Sequence, residues 1–161
     1  MKKTNKKLYV AYGSNLHLEQ MQYRCPDATV YGAGVLKDYD LTFWGYGNRC
    51  GVATVIPCKG TDVPVAVWEV SEADEKSLDI YEGWPHLYRK EDIEVLMDDG
   101  SVVTGMIYIM NEKNMRPTDP SDYYYHTIAT GYESFGFDLE FLKNARKRIP
   151  EAAYNFRKIR F

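Results

Sequence analysis

Two short stretches of this 161-residue chain combine residue types that could do chemistry. In the first, Tyr9-Val10-Ala11-Tyr12-Gly13-Ser14-Asn15-Leu16, an alternating strand pattern runs straight into three residues suited to a turn and a helix start. Gly13 accepts a positive φ at little cost, and Ser14 or Asn15 can cap a helix beginning near Leu16. Backbone N–H groups without helical acceptors would then point at whatever lies above the turn, which makes the run a candidate cradle for an anion. It lacks the second glycine and the Lys-Ser or Lys-Thr of a phosphate loop, and the spaced glycines of a dinucleotide fingerprint, so a carboxylate suits it better than a nucleotide. The competing reading is an ordinary strand-to-helix connection that touches no ligand.

The second stretch is Leu78-Asp79-Ile80-Tyr81-Glu82-Gly83-Trp84-Pro85-His86-Leu87-Tyr88. Glu82 falls at the last turn of its helix, where unpaired carbonyls and the helix dipole disfavour a carboxylate. Shielding by Tyr81, Trp84 and Tyr88 would push its pKa the same way, towards a value useful for a general base near neutrality. The competing reading is a solvated surface glutamate. The chain also holds fourteen tyrosines. Tyr9, Tyr12, Tyr88, Tyr108 and the triplet Tyr123-Tyr124-Tyr125 offer flat apolar bodies with one hydroxyl each, suited to walling a small polar ligand. Tyr88 and Tyr108 fall on paired hairpin arms beside Glu82.

Histidine and cysteine suggest no metal. His17, His86 and His126 share no helical turn and read as loop residues with structural or solvent-facing roles. Cys25, Cys50 and Cys58 form no CxxC, have no histidine at metal-like spacing and read as small buried apolar residues in a reducing cytosol. The N-terminal basic segment passes directly into a strand without a signal peptide's apolar core, and no apolar run is long enough to span a bilayer. The net charge of −3, with basic residues scattered except at the two ends, argues against a nucleic-acid protein.

The elements that must position these residues read as follows. A strand over about 7–12 leads through the turn into a short helix near 16–24 that Pro26 closes. Strands are expected over 29–36, 39–45, 51–56 and 63–70, with an exposed loop at 45–48. Ser71, with Asp74 three residues on, starts a helix that Gly83 and Pro85 stop. A hairpin follows, with arms over 88–97 and 102–110 around Asp98-Asp99-Gly100. A loop at 116–121 precedes helices from Asp122 to about Thr130 and over 138–148. No repeat or linker divides the chain, so residues 1–161 read as one α+β domain with a curved mixed sheet. Phe43 and Trp44, with Phe156, Ile159 and Phe161, are either a homodimer contact or core.

Taken together, Tyr9 to Leu16, the Gly51-Val52-Ala53-Thr54-Val55 strand, the Leu78-to-Gly83 turn and the Tyr88 strand resemble the γ-glutamylcyclotransferase (AIG2-like) family, from the first strand to about residue 145. The resemblance implies a small barrel-like α+β fold with peripheral helices and a central cavity, acting without metal or cofactor. It implies that the turn's N–H groups hold the α-carboxylate of a γ-glutamyl group, with Tyr9, Val10, Ala11, Tyr12, Gly13, Ser14, Asn15 and Leu16 forming the substrate site. Glu82 matches the family's proton acceptor, and Tyr88 and Tyr108 wall the pocket. The expected reaction converts a γ-glutamyl amide to 5-oxoproline and a free amine. Gly83-Trp84-Pro85-His86-Leu87 is tighter than in the better-known animal members, which leaves the leaving group open: an amino acid, an amine, a polyamine or a secondary metabolite. A non-catalytic ligand-binding module is the alternative from outside enzymology.

Overall fold

The structure, a computed structural model, describes the backbone of residues 6–159 and the side chains of 6–156. Its centre is a ring of five strands. β2 (Thr29–Gly45) and β3 (Val52–Val70) form a long antiparallel hairpin, from Trp44 opposite Val52 to Thr29 opposite Glu69. The far end of β3 pairs antiparallel with β1 (Lys7–Ala11), which lies parallel to β5 (Val102–Met110) at Tyr9 opposite Met106. β5 pairs with β4 (Tyr88–Met97) and β4 returns to β2 at Gly34–Met97, closing the barrel. The two-residue β6 (Arg116–Pro117) adds to the end of β2, within the segment expected to be loop.

Four expected strands are thus two. The segments 29–36 and 39–45 are one strand interrupted at Asp38, whose φ of 64° marks a bulge, and the Asp38 carboxylate accepts from Gly60 N–H at 2.9 Å. The segments 51–56 and 63–70 join in the same way, with Pro64 inside the strand opposite Val35. A long strand crossing a bulge reads as two short ones because the period-2 pattern breaks there. Phe43 is fully buried in the core and Trp44 packs against it, so neither is an exposed strand residue. Ile159 and Phe161 fall outside the described side chains.

The expected helix over 16–24 is a 3₁₀ turn (Ser14–Leu16) followed by α1 (Leu18–Arg24), which His17 caps by accepting from Gln20 N–H at 3.2 Å. α2 (Glu72–Tyr81) begins in a reciprocal capping box: Asp74 N–H donates to Ser71 Oγ and Ser71 N–H to the Asp74 carboxylate. α3 runs from Asp122 to Phe135, a turn longer than expected, and stops at Gly136 with φ 70°. α4 (Leu139–Lys147) is followed by α5 (Ile149–Ile159), which the expected elements did not include.

α3 is pressed directly onto the 3₁₀ turn. A Cβ on Gly131 would stand 2.5 Å from Leu16 Cβ and 2.7 Å from its carbonyl carbon. Leu16 is fully buried, so neither side can move freely. Gly131→Ala gains about 1 kcal/mol of helix propensity. It should nonetheless lose about 1–3 kcal/mol net to overpacking, lowering Tm by roughly 2–4 °C per kcal/mol. Thermal unfolding of the variant measures this directly; an unchanged Tm would show that the turn is not held by α3.

Candidate active site

The carboxyl of Glu82 owes its place to the way α2 ends. Gly83, with φ 62°, reverses the chain, and the two hydrogen bonds of a Schellman motif follow: Gly83 N–H to Ile80 O at 3.2 Å and Trp84 N–H to Asp79 O at 2.9 Å. Glu82 is the capping residue itself, its N–H bonded to Leu78 O at 2.8 Å. Leu78, fully buried, anchors that last turn in the core, so Glu82 is fixed at the wall of a cavity of about 240 Å³.

Across the cavity stands the turn. Gly13, Ser14 and Asn15 all line it. Leu16 N–H donates to Gly13 O and His17 N–H to Ser14 O, each at 3.0 Å, so the N–H groups ahead of Leu16 have no acceptor within the turn. Gly13 has φ −124° rather than a positive value. Its lack of a side chain matters for space: a Cβ would lie 3.2 Å from Ala53 Cβ and 3.6 Å from Tyr124 Oη.

Tyrosine makes up most of the remaining wall. Tyr9 and Tyr108, edge to face at 5.8 Å between ring centres, stand with Tyr12, Tyr81, Tyr88 and Tyr124. Their hydroxyls are tied down individually. Tyr12 Oη donates to Tyr108 O, Tyr88 Oη to Ala53 O and Tyr108 Oη to the Asp79 carboxylate, each at 2.6 Å. Two hydroxyls are placed as acceptors: Tyr124 Oη takes Ala53 N–H at 3.0 Å, and Tyr9 Oη takes Asn15 Nδ2–H at 2.9 Å. Burial raises the pKa of Tyr9, Tyr12, Tyr88, Tyr108 and Tyr124, and the Glu82 charge raises each further, so all stay protonated near neutrality.

Glu82 behaves in the opposite sense to a surface acid. Part of its side chain reaches the cavity while protein surrounds the rest, and among the described residues no hydrogen bond or ion pair meets its carboxyl. Burial lifts its pKa to about 7, with the Arg24 charge pulling the other way. Desolvation rather than the helix terminus is thus the leading cause of a shift expected from both.

Of the residues the sequence singled out, Tyr9, Tyr12, Gly13, Ser14, Asn15, Glu82, Tyr88 and Tyr108 share this one cavity. Val10, Ala11 and Leu16 do not line it; they are buried in the core and hold the turn in place. Val52, Ala53, Leu87, Tyr81 and Tyr124 complete the lining. Within the tyrosine triplet, Tyr123 is exposed and Tyr124 faces the cavity, a distinction that only the docking of α3 decides. The histidines stand elsewhere: His86 is exposed, His17 caps α1, and His126 lies on α3 rather than in a loop, its Nδ1 2.7 Å from Asp122 O. Cys25 is buried as expected, whereas Cys50 is exposed and Cys58 half-buried. Among the described residues no group of three His, Cys, Asp or Glu side chains is arranged to hold a metal.

The sequence profile of the family described as "Gamma-glutamyl cyclotransferase, AIG2-like" matches residues 9–126, which includes both the turn and Glu82. The chain belongs to that family. It is 32% identical over 150 residues to the γ-glutamylcyclotransferase of Bos taurus and 30% identical to that of Homo sapiens, in each case over 89% of this chain and 79% of the relative. A solved γ-glutamyl cyclotransferase superposes with a TM-score of 0.76 at 28% identity, covering 88% of this chain and 86% of that one. The yeast γ-glutamyl cyclotransferase specific to glutathione shares the fold, with a TM-score of 0.66 at 12% identity. Family members are thus built on this barrel, whose cavity holds the turn and Glu82 together.

The Glu82 environment has a stability signature. Because its folded pKa of about 7 exceeds the ordinary 4.5, the native state keeps a proton that the unfolded chain releases, and stability falls as pH rises through that window. The full cost, above pH 7, is on the order of 3 kcal/mol. Glu82→Gln cannot ionise. Its Tm should exceed that of the parent at pH 8 and converge with it near pH 4.5, and a constant difference across pH would place the carboxyl in a well-solvated setting.

Proposed function

We propose that this protein is a γ-glutamylcyclotransferase that converts a γ-glutamyl amide to 5-oxoproline and a free amine. The observation that carries the reading is the juxtaposition, in one cavity of about 240 Å³, of an unpartnered carboxyl raised to about pKa 7 and the open end of the Gly13–Asn15 turn. A γ-glutamyl amide brings its own nucleophile, the α-amine, so the protein need not supply one. Its task is to fold the substrate into a near-attack shape and to move protons.

The N–H groups of the turn hold the α-carboxylate, which sets the α-ammonium beside Glu82. The Glu82 carboxylate takes one proton from the ammonium, and the freed amine attacks the γ-carbonyl carbon to close a five-membered lactam. The new C–N bond forms as the γ-amide C–N bond breaks; Glu82 returns the first proton to the departing nitrogen and then passes on the second proton that the ring nitrogen sheds, so the amine leaves as an ammonium and the lactam nitrogen keeps one hydrogen. Atoms balance without water or an external nucleophile. Tyr12, Tyr88 and Tyr108 have committed their protons to Tyr108 O, Ala53 O and Asp79. Tyr9 and Tyr124 accept from Asn15 Nδ2–H and Ala53 N–H and so keep a hydroxyl proton for the γ-carbonyl oxygen as negative charge develops there. With the other tyrosines they also exclude water, which would otherwise level the Glu82 pKa.

The substrate is thus a γ-glutamyl amino acid or amine, with the glutamyl half fixed by the turn and the amine half meeting the apolar Val52 and Leu87. No helix among the described residues is long and apolar enough to cross a membrane. The three cysteines are unpaired, which favours the cytoplasm as the place of action.

Incubating the protein with a panel of γ-glutamyl amides and detecting 5-oxoproline by mass spectrometry tests this. Glu82→Gln should lower kcat by about 10²–10⁴-fold, the usual range for losing an acid–base group, with KM within a few-fold. Since the base must start deprotonated, kcat/KM should rise with pH and level off above about 7. Undiminished turnover by Glu82→Gln would remove Glu82 from the reaction.

A further inference from the structure

One cation stands behind the turn, and proton transfer as described above makes no use of it. Arg24, the last residue of α1, donates from Nη1 to Asn15 Oδ1. Its guanidinium carbon also sits over the Tyr81 ring, 3.4 Å from the ring centre. Tyr81 Oη in turn bonds Ser14 Oγ at 3.0 Å. Both polar side chains of the turn are therefore tied to Arg24, Asn15 directly and Ser14 through Tyr81.

This linkage fixes more than position. A guanidinium can only donate, so it dictates that the Asn15 amide turn its oxygen towards Arg24 and its NH₂ towards Tyr9. Tyr9 Oη becomes the acceptor of that bond, and its own proton is left for the cavity. Arg24 is also spent: with Asn15 and Tyr81 engaged, it acts on Glu82 through its charge and forms no ion pair with it.

The charges around Glu82 are few. Tyr9 from β1, Tyr12 before the turn, Tyr88 from β4, Tyr108 from β5 and Tyr124 from α3 face it as neutral phenols. Asp79, on the same helix, is taken by Tyr108 Oη at 2.6 Å and by Lys90 Nζ at 2.7 Å. Arg24 is the cation that favours the Glu82 carboxylate.

We propose that Arg24 is a positioning residue for the cyclisation site, locking Asn15 and Ser14 in the turn and placing one positive charge behind it that draws the substrate's α-carboxylate in. This rests on the γ-glutamyl reading above for its substrate, and its effect on Glu82 stands apart from any substrate. The guanidinium's hold on both the Tyr81 face and Asn15 explains why arginine occupies the position; lysine would supply the charge without the fork that orients Asn15.

Arg24→Gln and Arg24→Lys separate the two contributions. KM for a γ-glutamyl amide turned over by the parent should rise roughly tenfold in Arg24→Gln, as losing about 1.4 kcal/mol of binding implies, with kcat changed less. The midpoint of the Glu82 side-chain carboxyl, followed by ¹³C NMR without ligand, should climb in Arg24→Gln, which removes the cation that favours the carboxylate, and stay near the parent's in Arg24→Lys. An unchanged KM together with an unmoved midpoint overturns the proposal, as does a loss confined to Tm and kcat, the mark of a merely structural role. If the parent turns over no γ-glutamyl amide, the functional reading fails by itself, and the carboxyl titration still decides whether Arg24 acts on Glu82. Should Arg24→Gln not fold, Tyr81→Phe removes the link to Ser14 alone; a severalfold rise in KM supports the linkage and an unchanged KM overturns it.

Discussion

A carboxyl group kept in a protein wall without a partner is the constraint on which the rest of this structure depends. Pairing Glu82 with a cation at contact distance would stabilise the fold and would also hold the carboxyl as a weak base. Arg24 lies close enough to act on it electrostatically, yet its hydrogen bond and its stacking face are given to Asn15 and Tyr81. The barrel must hold Glu82 in this costly state, and the Schellman turn at Gly83 together with the buried Leu78 provides the rigidity. Function here is bought with folding stability, and the amount depends on pH.

Tyrosine follows from the same constraint. A cavity that must bind a zwitterionic glutamyl group needs polar atoms, and charged side chains would shift the base. Buried phenols offer hydrogen bonds with no charge near neutrality. They also serve the fold. The β1–β5 ladder is registered at Tyr9 and Met106, and beyond it Tyr12 Oη donates to Tyr108 O while Met110 N–H donates to Thr54 Oγ1 at 3.1 Å. Tyr88 and Tyr124 satisfy the two backbone groups of Ala53. The hydroxyls that shape the cavity thus replace ladder bonds where the barrel seam opens around it.

Local signals made much of this legible. Ser71 and Asp74 marked a helix start that the capping box realises, and Asp98-Asp99-Gly100 marked a hairpin whose arms match the expected bounds. Gly83 marked the helix end beside Glu82. What escaped were features decided by distant contacts. The long strands were broken in the reading because a bulge at Asp38 disrupts local alternation while the partner strand bridges it. Gly13 drew attention for its φ, and its real constraint is the approach of Ala53 and Tyr124 from β3 and α3. Arg24 drew none, since a basic residue at a helix end is ordinary until the fold sets it on Tyr81 and Asn15.

The relative placing of the turn and Glu82 gives the cavity its chemistry, and a crystal structure of Glu82→Gln with an uncleaved γ-glutamyl amide tests it most directly. The substrate's α-carboxylate should lie within hydrogen-bonding distance, about 2.7–3.2 Å, of N–H groups of the Gly13–Asn15 turn, with its α-amine against residue 82 and its γ-carbonyl carbon within reach of that amine. An α-carboxylate bound elsewhere, or an amine turned away from residue 82, would contradict it.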